Sequence, residues 1–458
     1  MGMRTIHAAI LIFLCLVQLS AAPATMQSPG NDKPKFVHIR YEDGIEAWCD
    51  LATQRLFVAT RVGGTLQEAR LIDYRHKLIR GCFAAEKQGW QENVDTLPPF
   101  PDSPLACALL PNERAWFSVP HLSVEEHQDV LAGKPALRAD LYCNGPEHTR
   151  FLVKRAWADP QTKLPFRIEK FTTTGASTKA DVDTSNSGPE DLHDLDIPLE
   201  VKFIDNDAST PEAVKIVSRS KKAVQPFLRP MRRLRWGVGP DDKRSASIMT
   251  WDDKRLRVDS YASRKPAKKE KLIEQADDVL RWIDQEAVCR QTTIITPDYS
   301  YEFDARAEDA TNITWRPNVD PDLSSWLRVY LGYWPQVQHI GANEVVADAK
   351  DIPDGCIVLR QDRGSDVRKF AVDPKHGEIC RLFTLDIKAT TSCAQRIELL
   401  DLVELPQDRW NPTRQTFNTL EVRMKTQDVD AKACEVLDAE KILHQLHTQG
   451  RQFTFGGF

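Results

Sequence analysis

The sequence predicts a mainly β protein of the α+β class, with two antiparallel β-domains joined by a polar segment. From Phe36 onward apolar residues alternate with polar ones, which is the pattern of half-buried strands. The links between the strand-like pieces are short and polar, and such links favour an antiparallel meander. The chain has 28 prolines against 21 glycines, and its mean hydropathy is -0.44. This balance favours short strands and loops over long packed helices.

Composition also limits the class of protein. Hydrophobic residues make up 41% and charged residues 28% of the chain, which is ordinary for a globular protein and excludes disorder throughout. The formal charge of -5 excludes a strongly basic nucleic-acid binder, so we expect no nucleic-acid partner. The length of 458 residues fits three domains of ordinary size or two larger β-domains.

The first residues have the features of a secretory signal peptide. Arg4 supplies positive charge, and residues 8–19 form an apolar run too short to span a bilayer comfortably. Small residues on both sides of Pro23 predict cleavage near Ala24. We therefore expect residues 1–24 to be removed and the mature protein to be periplasmic or secreted, without a stable transmembrane anchor. The alternative is an uncleaved membrane anchor.

The first β-domain is predicted over residues 35–175. Strand-like pieces between residues 36 and 83 form a meander, and a hairpin series between residues 139 and 171 completes the domain. The following stretch, 176–196, is rich in Ser, Thr, Asp and Gly, so it is predicted to be a linker.

Helices are predicted at a few places. Ser123 and Glu126 form an S-x-x-E capping box, which predicts a helix that ends at Gly133. In the second half, apolar spacing predicts helices over residues 267–284 and 323–333.

The second β-domain is predicted over residues 197–426. An early hairpin turns at Asp252-Asp253, and a run of strands fills residues 356–424. The tail, 427–458, contains one more amphipathic helix at about 437–447.

The two halves share a hairpin pattern. The Asp-Pro pair at 159–160 precedes Arg167 by the same interval that separates the pair at 373–374 from Arg381. In both places a strand enters the turn and a strand with a central Arg leaves it. The repeated position, late in each half, favours an internal duplication over a chance recurrence.

The cysteines give no metal signature. Removal of Cys15 with the signal peptide leaves nine of the 10 cysteines, an odd number that cannot all pair. They have no CxxC spacing, so most are expected to be small buried apolar residues. A disulfide among Cys356, Cys380 and Cys393, on neighbouring predicted strands, is left open.

No motif of catalysis or cofactor binding is present: there is no GxSxG, HExxH, P-loop or EF-hand pattern. His444 and His447 have metal-ligand spacing on a predicted helix, but no third ligand is evident, so a solvated helix face is favoured. Residues 219–235 are basic and could meet an anionic surface, although a solvated connector is favoured. We predict no catalytic residue, no cofactor and no metal.

Short motifs carry a resemblance to a known family. The hairpin at 157–169 (WADPQTKLPFRIE) resembles one found in exported bacterial outer-membrane lipoprotein-sorting (LolA-like) proteins. The segments 251–259 and 409–413 resemble an early hairpin and a late strand entry of the same group. The chain departs from the family in being about twice as long, and the first hairpin, at Arg55, lacks a second Arg.

The resemblance implies a tandem duplication of two curved antiparallel incomplete β-barrel domains, each with covering helices. It also implies an apolar cavity for a lipid or for the acyl chains of a lipoprotein. We therefore expect an exported non-enzymatic protein that binds a lipid or a lipidated partner. The expected ligand-binding residues are Arg167, Arg257 and Arg381, with Trp157 and Trp251. The alternatives are an envelope protein-protein interaction or stress-sensing module without lipid cargo, and an enzyme of unrecognised type.

Overall fold

The computed structural model describes the chain from residue 34 to residue 457. Segments outside the described residues are 85–87, 95–96, 112, 114–118, 198–200, 206–227, 240–242, 266–268, 305–311, 319–322, 324–343, 347–354, 363–365, 374–377, 388–395, 406–408, 418–419 and 431–438. The described residues form two large, almost entirely antiparallel sheets with few helices. The predicted mainly β fold is therefore confirmed.

The first sheet contains twelve strands in the order β12-β6-β5-β4-β3-β2-β1-β11-β10-β9-β8-β7. Their bounds are β1 (Phe36–Tyr41), β2 (Ile45–Asp50), β3 (Arg55–Val62), β4 (Thr65–Asp73), β5 (Leu78–Phe83), β6 (Gln88–Asn93), β7 (Leu122–Leu131), β8 (Lys134–Asn144), β9 (Arg150–Ala158), β10 (Pro165–Phe171), β11 (Ser177–Ser185) and β12 (Lys202–Asp205).

The second sheet contains fourteen strands in the order β19-β20-β21-β22-β23-β24-β25-β13-β14-β15-β16-β17-β18-β26. Their bounds are β13 (Met231–Val238), β14 (Arg244–Trp251), β15 (Leu256–Ser263), β16 (Ala287–Ile295), β17 (Tyr299–Asp304), β18 (Asn312–Pro317), β19 (Glu344–Val346), β20 (Ile357–Asp362), β21 (Asp366–Asp373), β22 (Glu378–Ile387), β23 (Arg396–Leu405), β24 (Arg409–Phe417), β25 (Leu420–Asp428) and β26 (Gln452–Phe455).

Both sheets are connected in the same way. Each sheet consists of two antiparallel meanders that are joined by one pair of strands. The joining pair is β1 with β11 in the first sheet and β13 with β25 in the second. In each sheet a later strand then adds in parallel to the sixth strand, β12 to β6 and β26 to β18. Within the described residues neither sheet closes on itself. The common order of strands agrees with the predicted duplication, which stays a prediction, as do the domain boundaries.

The segment predicted as a linker contains a strand. β11 pairs with β1 on one side and with β10 on the other, so it joins the two meanders of the first sheet. Its burial alternates, with Ala180 and Val182 buried while Lys179, Asp181 and Asp183 are exposed. The polar composition of residues 176–196 concealed this strand, because only one of its two faces is buried.

The helix predicted from Ser123 to Gly133 is wrong, because these residues form β7 and its turn. β7 pairs with β8 in ten consecutive registers, from Leu122 opposite Cys143 to Leu131 opposite Lys134. A capping box acts only within one turn of a helix, so long-range strand pairing overrides it.

Three α-helices lie within the described residues: α1 (Pro104–Ala108), α2 (Ala276–Gln285) and α3 (Ala439–Thr448). α2 begins later than the predicted 267–284, and α3 agrees with the predicted helix of the tail. The helix predicted at 323–333 falls outside the described residues, except for Leu323.

One large apolar core lies on one face of the first sheet. We call this the inner face, defined as the face that packs against α1, which contacts β1, β9 and β10. Its strand residues are buried in alternation, and they include Val37, Ile39, Ala47, Leu56, Val58, Ile72, Ile79, Leu137, Ala139, Leu141, Ala156, Ile168, Ala180 and Val182. The opposite, outer face is covered near β3 and β4 by Leu192, Leu195, Ile197 and Val201.

The same core extends into the second sheet through an inter-sheet seam. The seam consists of His121, Asn144 and Phe151 on the first side and Tyr299, Trp315 and Phe455 on the second. The Tyr299 hydroxyl donates to the Asn144 carbonyl at 3.1 Å, and its ring stacks on His121 with centroids 4.6 Å apart. Phe151 stacks on Phe455 with centroids 4.3 Å apart. The two sheets therefore share one continuous core.

A glycine at the seam provides a test of this packing. A Cβ at residue 145 would lie 2.4 Å from Cζ2 of Trp315 and 2.6 Å from Oγ1 of Thr149. The φ of Gly145 is -111°, a value that any residue can adopt. The lack of space, and not the backbone conformation, therefore excludes a side chain there. We expect Gly145→Ala to destabilise the protein by about 1–3 kcal/mol, as overpacking does. Thermal unfolding measures the effect.

The matched control is Gly239→Ala, whose Cβ would meet no atom of the described residues nearer than the Lys243 carbonyl oxygen at 3.7 Å. We expect its Tm to stay near that of the parent. Equal Tm values for the two variants would contradict the packing of the seam.

Candidate functional site

A cluster of charged and polar side chains is buried on the inner face of the first sheet. The inner-face charge cluster consists of Tyr41, Glu113, Lys154 and Lys170. Glu113 is 1% exposed and Lys154 is 0% exposed, and their side chains form a direct ion pair. The Tyr41 hydroxyl donates to the same carboxylate, and Lys170 Nζ lies 4.0 Å from its second oxygen.

Strand alternation places three members of the cluster on the inner face. Tyr41 follows Ile39 by two residues in β1, and Lys170 follows Ile168 by two in β10. Lys154 precedes Ala156 by two residues in β9. Since residues two apart in a strand point to the same side, these polar groups share the face of the apolar core. Glu113 reaches them from the segment between α1 and β7.

Burial and the neighbouring charges shift the pKa values of the groups in the cluster. Burial by itself raises the pKa of the Glu113 carboxyl, but the positive charges of Lys154 and Lys170 outweigh it and the pKa is lowered. Burial lowers the pKa of Lys154, and the Glu113 carboxylate opposes this shift. Burial, reinforced by Glu113, raises the pKa of Tyr41 well above its usual value. The carboxylate therefore stays ionised at neutral pH while the phenol stays protonated.

This arrangement fastens Glu113 to three strands at once. A buried carboxylate left without its cations would be costly, so the cluster fixes where Glu113 lies. Both Glu113 and Lys154 are sealed from solvent. The geometry thus describes a structural anchor inside the core, and it places charge on the face where an acyl chain was expected.

Sequence reasoning did not identify Glu113 or Lys154. A signal for Lys154 was present, because a lysine in register with Ala156 and Ala158 interrupts an apolar face. Glu113 lies in a loop, where no periodicity applies, so nothing local distinguishes it.

Two of the predicted ligand-binding residues, Trp157 and Arg167, meet on the outer face of the first sheet. They are directly opposite in β9 and β10, and the guanidinium lies 5.7 Å from the indole centroid. The Trp157 Nε1 donates to Asp129 at 3.0 Å, and Arg167 is 3.6 Å from Glu169. Their partners are therefore groups of this chain, and neither side chain points toward the core.

The other three predicted ligand-binding residues lie in the second sheet, away from Trp157 and Arg167. Trp251 is buried and pairs with Leu256, so Arg257, the next residue, lies on the opposite face of the second sheet. There Arg257 forms an ion pair with Asp259 at 2.9 Å. Arg381 lies in β22 opposite Ala371 and Glu398, and its side chain is outside the described residues. A ligand-binding role for these residues stays a prediction.

The apolar cavity for an acyl chain also stays a prediction. The inner face of the first sheet is packed by α1 and by the second sheet through the seam. A pocket beside α2, lined by Trp236, Ile273, Val279 and Trp282, contains about 170 Å³ of space, part of it open to solvent. Ligand pockets usually enclose about 300–1,000 Å³, so this pocket is small for an acyl chain.

One edge of the first sheet is formed by β7, and the other by the short strand β12. Within the described residues, β7 pairs with β8 and has no strand on its other side. The Asn144 amide donates to the His121 carbonyl at 2.7 Å, which makes 121 and 144 a hydrogen-bonded pair. Because hydrogen-bonded pairs alternate along antiparallel strands, the backbone groups of Val124, Glu126, Gln128 and Val130 point to the unpaired side.

The two faces of β7 differ in chemistry. Val124 and Val130, on the inner side, are 38% and 65% exposed. Glu125 and Asp129 lie on the outer side, where each contacts an arginine of a neighbouring strand, Arg150 at 2.8 Å and Arg138 at 3.8 Å. On the inner side Glu126 and Gln128 lie between the two exposed valines. On the outer side the two carboxylates are paired with arginines of this chain.

Neither a metal site nor a membrane-spanning helix is found in the part of the chain that the structure describes. No group of three or more His, Cys, Asp and Glu side chains there could hold a metal ion. His444 and His447 are exposed on α3, where the His447 ring stacks on Phe453. None of the described helices is both long and apolar enough to cross a bilayer.

Comparison with known proteins gives matches among solved structures alone. No family model and no curated protein matches the chain. A LolA superfamily protein from Nitrosomonas europaea is 10% identical, with a TM-score of 0.26, over 48% of this chain and 94% of its own. MucB, solved in complex with MucA(peri), is 13% identical, with a TM-score of 0.18, over 57% of this chain and 80% of its own.

A third match is the hypothetical lipoprotein YmcC from Escherichia coli. It is 9% identical, with a TM-score of 0.13, over 40% of this chain and 99% of its own. Structures of the family suggested by the sequence motifs are thus among the matches. Identities and TM-scores this low carry no argument about function, and they do not show a tandem duplication.

The inner-face charge cluster predicts a specific response to mutation. We expect Glu113→Gln to destabilise the protein by about 3–5 kcal/mol, because it leaves the buried Lys154 amine unpaired. We expect Glu113→Gln combined with Lys154→Met to cost less than the sum of the two single changes. Urea unfolding of the three variants measures this coupling. Arg40→Gln is the control, since Arg40 and Asp183 form an exposed pair that contributes about 1 kcal/mol or less.

The cluster also predicts a pH dependence. The pKa of Glu113 is lowered in the folded state, so its stabilisation is present above its ordinary value of 4.5 and is lost as the pH falls through the lowered value. Unfolding free energies from pH 7 down to pH 3 should therefore fall more steeply for the parent than for Glu113→Gln. Parallel curves would contradict an ionised Glu113 in the folded protein.

Proposed function

We propose that this chain is an exported, non-enzymatic binding protein that holds an extended segment of another protein against the edge of β7 that no described strand covers. The observation that carries the proposal is the ten-residue edge strand, whose outward backbone groups have no strand partner within the described residues. The Val130 N–H already donates to Asp129 Oδ1 at 2.8 Å. An added strand would satisfy the other outward groups with main-chain hydrogen bonds, as in β-strand addition by other binding domains.

The side chains of β7 define the segment that would fit. Apolar residues of the partner would lie beside Val124 and Val130, and basic residues would lie beside Glu125 and Asp129. A second copy of β7 is a poor partner, because antiparallel pairing of two copies would bring carboxylates near carboxylates. The proposed partner is thus a different protein with an alternating apolar and basic segment.

The expected lipid ligand is less well supported than a protein ligand. An acyl chain on the inner face would have to displace α1 and lie beside the ionised Glu113 and Lys154. Burial gains about 0.8 kcal/mol per CH₂, but exposing or separating a buried ion pair costs several kcal/mol. Lipid binding therefore serves as the alternative that the experiment must detect.

The test uses a displayed library of twelve-residue peptides selected on the full chain. We expect the enriched peptides to alternate apolar and basic residues. We expect Gln128→Pro to weaken their binding at least about tenfold, because proline removes one outward N–H donor without disturbing the hydrogen bonds to β8. Gln128→Thr keeps the donor and is the matched control.

Two results would overturn the proposal. One is an absence of enriched peptides, and the other is equal binding of those peptides by the Gln128→Pro and Gln128→Thr variants. A fluorescent fatty acid is tested in parallel on the same preparations. Saturable uptake by the parent and both variants, together with no peptide binding, would establish the lipid function instead.

A further inference from the structure

One arginine of the second sheet is partly buried without a counter-charge. The side chain of Arg235, in β13, has neither an ion pair nor a hydrogen bond to any group in the described part of the chain. Burial lowers the pKa of its guanidinium, and no carboxylate of the described residues opposes this shift. By contrast, Arg229, in the same basic stretch 219–235, forms an ion pair with Asp428 at 2.9 Å. Because arginine stays charged in proteins, a desolvated guanidinium without a counter-charge is costly.

Strand alternation decides on which face of the second sheet Arg235 lies. The next residue, Trp236, packs against Trp282 of α2. Arg235 therefore lies on the opposite face, away from α2. Arg233, two residues earlier, shares that face, and its Nε donates to the Thr426 hydroxyl at 2.8 Å. Arg233 thus has a partner within the sheet, whereas Arg235 has none among the described residues.

A row of polar side chains extends from Arg235 across three neighbouring strands. Ser247 lies opposite it in β14, Ser260 lies opposite Ser247 in β15, and Gln291 lies opposite Ser260 in β16. Directly opposite residues share one face of a sheet, and all four are partly exposed. The row offers guanidinium, hydroxyl and amide donors, and its first carboxylate is that of Asp304, opposite Gln291 in β17.

Apolar side chains border this row. Met424, opposite Arg235 in β25, is 3% exposed. Met249 and Val258, which form the adjacent row on β14 and β15, are also buried. A hydrogen bond to a charged group is stronger where water competes less. The guanidinium of Arg235 therefore lies in surroundings that favour binding of an anion over solvation.

We propose that Arg235 and the polar row beside it bind a small solute through an oxyanion group, either a carboxylate or a phosphate. A guanidinium presents paired N–H donors whose spacing matches two oxygens of either group. The hydroxyl of Ser247, opposite Arg235, is placed to donate to the same group. The chain as a whole carries a formal charge of -5, so general attraction of anions is not expected and the site must act locally.

The site gives a role to one residue of the basic stretch 219–235, in which the sequence indicated contact with an anionic surface. Residues 219–227 of that stretch fall outside the described residues. The disulfide left open among Cys356, Cys380 and Cys393 also falls largely outside them. The site is separate from β7 and lies on the face opposite the pocket beside α2, so it does not depend on the proposed protein ligand.

The test is calorimetric titration of the full chain with sodium phosphate and with sodium acetate at constant ionic strength. We expect saturable binding by the parent, and the ion that binds more tightly identifies the group. We expect Arg235→Gln to weaken this binding at least about tenfold, because it removes a pair of charge-assisted hydrogen bonds. Arg235→Lys keeps the charge but not the paired donors, so its affinity should lie between the two.

The matched control is Arg229→Gln, because Arg229 belongs to the same basic stretch but is exposed and already paired with Asp428. We expect it to bind as the parent does. No saturable binding by the parent, equal affinity of the parent and Arg235→Gln, or an equal loss in Arg229→Gln would each refute the proposal. Circular dichroism verifies that each variant is folded. If Arg235→Gln does not fold, weaker binding by Arg235→Lys supports the site, and binding equal to that of the parent refutes it.

Discussion

The pairing of β1 with β11 is the constraint on which the first half of the structure depends. It joins a meander of six strands to one of five, and no other strand contact within the described residues makes this connection. Because the side chains of paired strands alternate in phase, this one register decides which residues of eleven strands face α1. Val37 and Ile39 on β1 share their face with Ala180 and Val182 on β11. The inner-face core and the charge cluster both follow from that phase.

In the second sheet the pairing of β13 with β25 likewise joins two meanders. In both sheets the sixth strand receives a parallel partner from a later part of the chain, which covers an edge that a meander would otherwise leave unpaired. β7 remains without such cover in the described part of the first sheet. Among the end strands of the two sheets, β7 has ten residues whereas β12, β19 and β26 have three or four.

Local pattern in the sequence predicted much of the fold. The alternation of Val37, Ile39 and Tyr41 and the Asp-Pro turn at 159–160 identified strands and hairpins correctly, since both signals act over a few residues. The errors occurred where distant partners decide the structure. Ser123 carries a valid capping signal, but pairing with β8 makes its segment a strand.

The candidate site was harder to predict for the same reason. Trp157 and Arg167 lie directly opposite each other because one hairpin brings β9 and β10 together. Glu113 and Lys154 are 41 residues apart, and they meet only when the chain has folded. Spacing in the sequence carries no information on this contact.

The inter-sheet seam has a consequence for the order of events during synthesis and export. Phe151 is synthesised well before Phe455, which covers it in the folded protein. Until Phe455 has been made, the nascent first sheet presents an uncovered aromatic side chain to its surroundings. Chaperones that bind exposed apolar surface would thus have a defined time window in which to act, closing when β26 arrives.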